Sequence, residues 1–520
     1  MYRLGIDVGG TNTDAVIMEE NKVLSGIKAS TTEDVTSGVI EAMEGAIEKA
    51  GIDREKISNV MIGTTHFTNA VIERKHINHV AAIRLGLPAT ECLPPMVDWP
   101  ADLRDAVGHN AYLVRGGYEF DGRPIAPLDE EELVRIASDI KAKGVKAVAI
   151  TSVFSPINQD MELKARDIIA EQCGDIPIVL SNDIGRIGIL ERESAAIMNA
   201  SLLELSAKTV KAFGNALQQA GITCPFYITQ NDGTLMSAEM VSKFPVLTFA
   251  SGPTNSMRGA AFLTGCKEAI VVDIGGTTTD VGALHMGFPR QAATIVDVGG
   301  VRTNFRMPDV FSIGLGGGSL VKQAEDGSVT VGPQSVGYRI TKEARVFGGD
   351  VLTTTDIAVS QGKANVGDAA KVADVDAELA KTADAEIYLM LERAVERSRI
   401  SPDPIPVIAV GGGSILMPDA LGDLEVIRPE NFAVANAVGA AIAQISGEVD
   451  RVFSLEGGLT REACLAQAEE EATQNAIKAG AKADTIEVIE REDVPLAYLP
   501  GNATRIHVKV VGEMGGTHGE

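Results

Sequence analysis

The sequence is poor in aromatic residues and in positive charge. Phe, Trp and Tyr together make up 4% of its 520 residues, and 46 basic residues stand against 71 acidic ones, which gives a formal net charge of -25. A surface of this sign repels the phosphates of nucleic acids and anionic membranes. We therefore expect neither nucleic acid nor a membrane as a partner.

Cysteine is also scarce and scattered. The five cysteines form no C-x-x-C pair, and neither they nor the seven histidines show the paired spacing of a zinc or manganese site. This pattern argues against a disulfide framework and fits a reducing cytoplasm. The opening residues MYRLGIDVGG lack the features of a signal peptide, and two long uncharged stretches, 212–231 and 431–447, contain Asn and Gln. We expect a cytoplasmic protein.

Small and aliphatic residues are abundant instead. Hydrophobic residues make up 45% of the chain, and there are 54 glycines. This composition is typical of a loop-rich α/β enzyme. At about 100–200 residues per domain, the length predicts two to four domains.

One eight-residue motif occurs twice. DVGGTNTD at 7–14 and DIGGTTTD at 273–280 agree at six of eight positions, and each lies between two short predicted strands. The repeat predicts two similar α/β domains, 1–266 and 267–450, followed by a small C-terminal α+β unit at 451–520. A stretch rich in Pro, Gly and charge, about 85–128, predicts an insertion in the first domain. Long helices are predicted over 35–50, 129–143, 190–219, 251–264 and 460–479.

Each copy of the motif has the chemistry of a phosphate-binding loop. Glycines in a turn between two strands let backbone N–H groups approach a phosphate without a Cβ in the way, and threonine hydroxyls add donors. The predicted phosphate-binding residues are Gly9, Gly10, Thr11, Asn12, Thr13, Gly275, Gly276, Thr277, Thr278 and Thr279. Asp7 and Asp273, at the ends of the first strands, are the predicted Mg²⁺ sites.

Two further glycine runs follow the second motif. Gly411, Gly412, Gly413 and Ser414 come after the apolar strand 407–410, and the small-residue helix 433–441 lies downstream. Together they predict a bare backbone on which the adenosine of ATP would rest; alternatively, they form a plain strand–turn–helix unit with tight packing. The run Gly314–Ser319 either lines the cleft or forms a mobile loop.

These loops resemble those of the sugar kinase/Hsp70/actin superfamily, and several segments resemble the hydantoinase A/5-oxoprolinase family more specifically. The segments are IDVGGTNTD near the start, GTTHFTNAVIERK at 63–75, SGPTNSMRGA at 251–260, DIGGTTTD at 273–280, SIGLGGGS at 312–319, TTTD at 353–356 and AYLPG at 497–501. The resemblance covers nearly the whole chain in order. It implies an α/β fold with two RNase H-like (actin/hexokinase-like) domains around an ATP cleft.

The same resemblance implies a function. We expect the ATP-binding, A-type subunit of an ATP-dependent cyclic amidohydrolase, which opens a hydantoin, 5-oxoproline or lactam through phosphorylation of the amide oxygen. ATP and Mg²⁺ are the expected cofactors, and a B-type hydantoinase/oxoprolinase subunit is the expected partner in a hetero-oligomer. The alternatives are a small-molecule kinase and a non-catalytic ATPase that activates a partner enzyme.

The catalytic and substrate-binding residues are assigned less directly. Asp7, Asp14, Asp273 and Asp280 are the catalytic candidates, and Asp14 and Asp280 are weak candidates for a general base, which phosphoryl transfer does not always need. Thr65, His66, Asn69 and Arg192 are the candidate substrate contacts. Thr65 or His66 could instead cap the next helix, and Arg192 could instead pair with Glu191 or Glu193. The family usually has His before its Gly-Thr-Thr, whereas Ile62 stands here.

Overall fold

The computed structural model describes residues 2–10, 12–30, 35–292, 295–455, 458–497 and 502–515. Strands of the first half are β1 (Tyr2–Val8), β2 (Asn12–Glu19), β3 (Lys22–Ser30), β4 (Ile57–Thr64), β5 (Val80–Leu87), β6 (Asn110–Arg115), β7 (Ala147–Ser152), β8 (Ile178–Leu180), β9 (Phe226–Thr229) and β10 (Thr234–Ser237). Strands of the second half are β11 (Ala269–Ile274), β12 (Thr279–His285), β13 (Phe288–Pro289), β14 (Val296–Val298), β15 (Val301–Thr303), β16 (Val310–Ile313), β17 (Ser319–Gln323), β18 (Val329–Ser335), β19 (Val407–Val410), β20 (Ala420–Leu421), β21 (Leu424–Ile427), β22 (Gln444–Phe453), β23 (Glu487–Pro495) and β24 (Thr504–Gly512).

The helices alternate with these strands, as expected for an α/β protein. They are α1 (Val35–Ala50), α2 (His66–Glu73), α3 (Ala101–Val107), α4 (Glu130–Lys143), α5 (Asp160–Cys173), α6 (Ile189–Gln219), α7 (Ala238–Lys243), α8 (Ser251–Thr264), α9 (Ile340–Glu343), α10 (Thr354–Ser360), α11 (Ala377–Ser398), α12 (Ala435–Ala441) and α13 (Arg461–Lys478). The predicted long helices are confirmed as α1, α4, α6, α8 and α13. None of the helices in the described part of the chain is long and apolar enough to cross a membrane.

The first motif lies in a nine-stranded sheet. Its strand order is β3-β2-β1-β4-β9-β10-β22-β24-β23, with β1 antiparallel to β2 and parallel to β4. Strand β1 is central and its alternate residues face opposite layers: Leu4 and Ile6 join the core that contains α1, whereas Gly5 faces α12. A Cβ on Gly5 would lie 2.2 Å from the Ala437 carbonyl oxygen, so only glycine allows α12 to pack this closely.

The second motif lies in a seven-stranded sheet with the same local arrangement. Its order is β13-β12-β11-β19-β21-β20, and β16 also pairs with β12. Strand β11 is antiparallel to β12 and parallel to β19, as β1 is to β2 and β4. The register pairs Asp273 with Asp280, just as it pairs Asp7 with Asp14 in the first sheet. The repeat in the sequence is thus a repeat in the structure.

Helices α8 and α12 lie between the two sheets in close contact. A Cβ on Gly259 would lie 1.8 Å from the Ala435 carbonyl oxygen, and one on Gly439 would lie 1.8 Å from that of Asn255. The two backbones therefore touch, and any side chain at either glycine would separate the helices. This contact fixes the polar residues that both helices carry.

The region predicted as an insertion belongs to a larger unit. Strands β6-β5-β7-β8 form a separate parallel sheet, and α4 and α5 pack against it. This unit extends beyond the predicted 85–128, since β5 begins at Val80 and β7 and β8 follow residue 128. Strand β5 (VAAIRLGL) is a nearly continuous apolar run without the alternation of a half-exposed strand. Trp99 anchors the irregular part by donating its indole N–H to Ser194 Oγ on α6, at 3.1 Å.

The residues predicted as a C-terminal unit extend the first sheet. Strand β22 pairs in parallel with β10, and β24 and β23 continue from it. Helix α13 covers these strands with a stripe of small buried residues, Cys464, Ala468, Ala472 and Ala476. The first sheet is therefore built from both ends of the chain.

Candidate active site

Both copies of the repeated motif line one cavity of about 400 Å³, which we call the central cavity. The predicted phosphate-binding residues in its wall are Gly9, Gly10, Asn12, Gly275, Gly276, Thr277, Thr278, Gly411, Gly412 and Gly413. Thr13, Thr279 and Ser414 are fully buried and do not line it. Thr11 lies outside the described residues. The structure thus brings the three glycine runs together.

The two Gly-Gly-Thr turns are closed in the same way. In the first, the Gly9 N–H donates to the Asn12 carbonyl at 3.0 Å; in the second, the Gly275 N–H donates to the Thr278 carbonyl at 2.9 Å. Each turn therefore connects its two strands as a tight hairpin. The remaining N–H groups of such a turn are those that a phosphate can bind.

The third glycine run is held against the second turn. Gly413 donates its N–H to the Ile274 carbonyl at 2.7 Å, and Gly411 has a positive φ of 83°. A Cβ on Gly411 would lie 2.2 Å from Asp273 Oδ1. The space beside Gly412 is open, with no heavy atom within 4 Å of a Cβ built there. This open backbone is the feature that the adenosine interpretation requires.

The loop Gly314–Ser319 braces the second turn. The N–H groups of Gly317 and Gly318 donate to the carbonyls of Gly275 and Gly276, at 3.0 and 2.7 Å. A Cβ on Gly316 would lie 2.6 Å from the Thr277 nitrogen. Gly317 also lines the central cavity. The sequence left open whether this loop lines the cleft or is mobile. Its position in the structure is that of a cavity wall.

The TTTD segment at 353–356 holds this loop from the other side. Thr354 and Thr355 at the start of α10 donate their hydroxyls to the carbonyls of Gly316 and Gly317, at 2.5 to 2.9 Å. Asp356 closes the helix start through a capping box with Thr353. The second turn is thus supported by two layers of backbone.

Asp7 and Asp14 accept hydrogen bonds from asparagine side chains of the two helices between the sheets. Asn255 of α8 donates to Asp7 Oδ1 at 3.0 Å. Asn436 of α12 donates to Asp7 Oδ2 at 3.0 Å and to Asp14 Oδ2 at 2.8 Å. Lys28 of β3 reaches Asp14 Oδ2 at 2.7 Å and lines the central cavity. The close contact of α8 with α12 therefore positions the first pair of carboxylates.

The second pair of carboxylates is held by serines. Ser256, next to Asn255 on α8, donates to Asp273 Oδ2 at 2.5 Å, and Ser312 of β16 donates to Asp280 Oδ1. Asp273 lines the central cavity, whereas Asp280 does not. Consecutive residues of one helix thus reach both copies of the motif.

Burial makes the largest contribution to the pKa shifts of these four carboxylates. It raises the pKa of Asp7 to about 6, with further contributions from the charges of Asp14 and Asp273. It also raises the pKa of Asp280 to about 6, with Asp273 as the neighbouring charge. Burial raises the pKa of Asp14 despite Lys28, and that of Asp273 despite Ser256. Clustered carboxylates with raised pKa values are typical of functional sites.

One carboxylate oxygen of this cluster is unsatisfied. Asp14 Oδ1 is buried and has no hydrogen-bond partner among the described residues. Within the same part of the chain, no three His, Cys, Asp or Glu side chains are close enough to enclose a metal ion. Mg²⁺ is commonly held by one or two carboxylates, with phosphate oxygens and water completing its shell. The donor set fits that cation, with Asp273 facing the cavity and Asp7 covered by the asparagine amides.

The predicted substrate contacts of α2 lie beside the first turn. Asn69 Nδ2 is 3.9 Å from a Cβ built on Gly10 and donates to Thr65 Oγ1 at 3.4 Å. Thr65 makes no side-chain cap bond to α2; the hydroxyl of Thr64 accepts from the His66 N–H instead. Burial, and then the charge of a neighbouring histidine, lower the pKa of His66, so its half-buried ring is neutral at physiological pH.

Arg192 has a different position from the other predicted contacts. Its guanidinium is buried and donates to Ser181 Oγ, the Arg186 carbonyl and the Ser152 carbonyl, at 3.0, 2.9 and 2.6 Å. Like Thr65, His66 and Asn69, it does not line the central cavity, and it is held in a different part of the molecule. It also forms no ion pair with Glu191 or Glu193 on its helix within the described residues. Its geometry is that of a brace between α6 and the parallel sheet.

Comparison with known proteins agrees with this architecture. Residues 3–173 match the hydantoinase/oxoprolinase N-terminal region, and residues 192–370 match hydantoinase/oxoprolinase. The crystal structure of an ATP-dependent caprolactamase from Pseudomonas jessenii has a TM-score of 0.78 at 20% identity, covering 98% of this chain and 87% of that one. This likeness confirms the predicted fold class.

Two curated relatives are longer than this chain. The acetophenone carboxylase gamma subunit of Aromatoleum aromaticum is 27% identical over an alignment of 397 positions, which covers 70% of this chain and 53% of that protein. The caprolactamase subunit alpha of Pseudomonas jessenii is 25% identical over an alignment of 468 positions, which covers 85% of this chain and 65% of that protein. The chain thus spans between about half and two thirds of these relatives.

Proposed function

Because this chain belongs to the hydantoinase/oxoprolinase family, we propose that it is an ATP-binding enzyme subunit that phosphorylates the oxygen of a cyclic amide. The phosphorylated amide is then opened by water. A hydantoin, 5-oxoproline or a lactam would be the substrate. The chain is similar to the alpha subunit of a caprolactamase, an enzyme whose name indicates a lactam as its substrate. This similarity supports a cyclic amide as the substrate here.

The observation that carries the proposal is the duplicated site around the central cavity. Two closed Gly-Gly-Thr turns and a bare triple-glycine backbone meet there, with Asp14 and Asp273 in the wall and their strand partners Asp7 and Asp280 behind it. Backbone N–H groups would hold the phosphates, and the open face of Gly412 would receive the adenosine. A net charge of -25 would otherwise repel ATP, so local donors have to supply the attraction.

The chain's own residues would prepare the phosphoryl transfer. Asp273 and Asp7 would hold Mg²⁺, and the cation would neutralise charge on the transferring phosphate when bound. Lys28 faces the same cavity and would add a second positive charge. Phosphoryl transfer depends mainly on such positioning and charge stabilisation. Asp14, with its free Oδ1, could accept the amide proton.

The chemistry explains why ATP would be needed. An unstrained amide is a poor electrophile, since its nitrogen donates electron density to the carbonyl carbon. Attack of the amide oxygen on the γ-phosphorus releases ADP, and loss of the N–H proton leaves an imidate phosphate. Water then adds to the carbon, and the tetrahedral adduct expels the ring nitrogen as an amine, which breaks the C–N bond and leaves an acyl phosphate. A second water adds to the same carbon, and phosphate departs with the original amide oxygen. The products are a ring-opened carboxylate and its amine.

The substrate would lie between the first turn and α2. Asn69 stands beside Gly10 and donates to Thr65, and the neutral ring of His66 follows in the same helix turn. Amide and hydroxyl groups can both donate to and accept from a cyclic amide, which carries one N–H and one carbonyl. The second step would be completed by a partner subunit, in line with the relatives' names as gamma and alpha subunits.

A second candidate is the phosphorylation of a ketone before carboxylation. The acetophenone carboxylase gamma subunit, 27% identical to this chain, favours it. An enol presents an oxygen nucleophile to the γ-phosphate just as an amide does. A kinase would instead release a stable phosphorylated product, and a non-catalytic ATPase would hydrolyse ATP without any organic substrate.

Isotope transfer tests the proposal directly. The purified chain, alone and with its co-purifying partner, would be given ATP and Mg²⁺ with cyclic amides labelled with ¹⁸O in the carbonyl, and with ketones plus bicarbonate. We expect ring opening with ¹⁸O in the released phosphate. Unlabelled phosphate from an opened amide would refute phosphorylation of the amide oxygen. Full-rate opening by the lone chain would refute the two-subunit arrangement.

A further inference from the structure

A second cavity of about 470 Å³ lies between the parallel sheet and the C-terminal strands of the first sheet; we call it the lateral cavity. It shares no lining residue with the central cavity. Its wall is formed by the segments 155–159, 182–187, 230–232, 305–306 and 448–452, with Leu247 and Arg505. It is therefore a separate interdomain space, which is where ligands commonly bind.

Two of the arginines in this wall are neutralised internally. Arg306 pairs with Glu448 at 2.9 Å and with Glu490 at 3.0 Å. Arg505 forms two parallel bonds with Asp450, at 2.7 and 2.5 Å. A planar guanidinium that faces a carboxylate in this way has its preferred partner. Neither of these two groups needs another anion.

Arg186 lacks such a partner. Its guanidinium is half-buried, and its one ion pair within the described residues is with Asp450 at 3.2 Å, the carboxylate that Arg505 already occupies. No hydrogen bond from its guanidinium is formed within the same residues, although the group has five N–H donors. Burial, and then the charge of Arg306, lower the pKa of Arg186. Two guanidinium groups thus share the carboxylate of Asp450, so Arg186 has no carboxylate of its own among the described residues. The formal charges of the wall balance, because Asp183, Asp232 and Glu448 also line it.

The rest of the lateral cavity has apolar surface close to these charges. Ile157, Ile184, Leu247 and Phe305 contribute side chains to the same wall. Phe305 is itself fixed by an edge contact with Phe249, at 5.8 Å between ring centroids. A ligand with a hydrocarbon body and one anionic group would match both parts of the wall.

We propose that the lateral cavity is a binding site for a small organic carboxylate, whose carboxylate group binds Arg186 and whose hydrocarbon part packs against Ile184, Leu247 and Phe305. The forked donors of arginine suit a planar carboxylate. The site would act independently of the central cavity, so the proposal does not depend on the reaction proposed above.

Calorimetric titration tests the site without nucleotide or divalent cation. The probes are benzoate, hexanoate and glutarate, each against its neutral amide (the diamide for glutarate), with inorganic phosphate as the non-carboxylate anion and constant ionic strength. We expect saturable binding of at least one carboxylate, with its amide at least about tenfold weaker, since a charge-assisted hydrogen bond is lost.

Variants locate the binding. Arg186→Gln should weaken binding of the carboxylate by about tenfold or more, and Arg186→Lys should retain part of the affinity. Arg135→Gln, which removes an exposed arginine of α4, should bind like the wild type. Thermal denaturation shows whether Arg186→Gln is folded, and the lysine variant preserves the charge if it is not. No binding by any probe, equal binding of acid and amide, or full affinity in both Arg186 variants would overturn the proposal. Phosphate binding equal to that of the carboxylates would show a nonspecific cationic site and also overturn it.

Discussion

Replacing Asp7 with asparagine should stabilise the protein, although Asp7 is a catalytic candidate. Asp7 is 4% exposed, and its pKa is raised from 3.8 to about 6, by burial first and then by Asp14 and Asp273. A raised carboxyl pKa contributes stability that is present below pH 3.8 and is lost as the pH rises through about 6. At pH 8 the charged carboxylate therefore costs the folded state about 3 kcal/mol.

The asparagine variant removes this cost and loses one hydrogen bond. Asn255 and Asn436 donate to the two oxygens of Asp7, both at 3.0 Å, and asparagine offers one oxygen. The lost bond costs about 1 kcal/mol, which leaves a net gain of about 2 kcal/mol at pH 8. At pH 5 the folded carboxyl of the wild type is mostly protonated, so the gain should fall below about 1 kcal/mol.

Thermal denaturation at pH 5 and pH 8, without nucleotide or divalent cation, measures this difference. The matched control is Asp232→Asn, because Asp232 is equally buried but pairs with Lys509 at 2.6 Å. Burial raises the pKa of Asp232, but the charge of Lys509 and the hydrogen bonds from Lys509 and Thr234 together lower it below its usual value. The control should therefore lose stability at pH 8. An Asp7→Asn protein that is less stable than the wild type at pH 8, or a gain that does not change with pH, would refute the electrostatic argument.

Three other substitutions test the candidate site. Asp273→Ala should reduce ATP turnover by about a thousandfold while the protein stays folded, because it removes a metal-binding carboxylate; near wild-type turnover would exclude this role. Gly316→Ala places a Cβ 2.6 Å from the Thr277 nitrogen, so it should raise KM for ATP, measured by phosphate release, and an unchanged KM would show that the second turn does not bind phosphate. Asn69→Ala should raise KM for the organic substrate about tenfold without changing nucleotide affinity. A change in nucleotide affinity alone would contradict the assignment of Asn69 as a substrate contact.

Duplication made part of the site predictable from the sequence. The two motifs had to occupy equivalent positions in equivalent sheets, so the pairing of Asp273 with Asp280 follows from that of Asp7 with Asp14. The glycine runs were predictable for a similar reason, because a Gly-rich turn after a buried strand restricts what the backbone can do.

The residues that hold the carboxylates could not be predicted in this way. Asn255 and Asn436 lie on single-copy helices, and a polar residue in a helix gives no signal of its partner. Lys28 was hidden by a β-bulge between Ile17 and Met18, which shifts the register of β2 against β3 by one residue. Without that bulge, the register at the hairpin end would place Ile27 opposite Asp14 and turn Lys28 to the other face.

The extent of the parallel sheet was also not predictable from alternation. Strand β5 is buried on both faces, so its sequence VAAIRLGL is apolar at every position except Arg84 and shows no alternation. The irregular segment between β5 and β6, which contains Trp99, is rich in Pro, Gly and charge, and this composition led to the prediction of an insertion there. The sequence did not indicate that the C-terminal strands belong to the first sheet, because strand pairing between positions 234 and 444 leaves no local pattern in the sequence.

That distant pairing has a consequence during synthesis on the ribosome. Strand β10 is complete some two hundred residues before β22, its neighbour in the sheet, emerges. At about 5–20 residues per second, the edge of β10 would wait on the order of 10 to 40 seconds with its backbone N–H and C=O groups unpaired. Exposed strand edges recruit other strands, so this interval is when the nascent chain is most prone to aggregate and most in need of a chaperone.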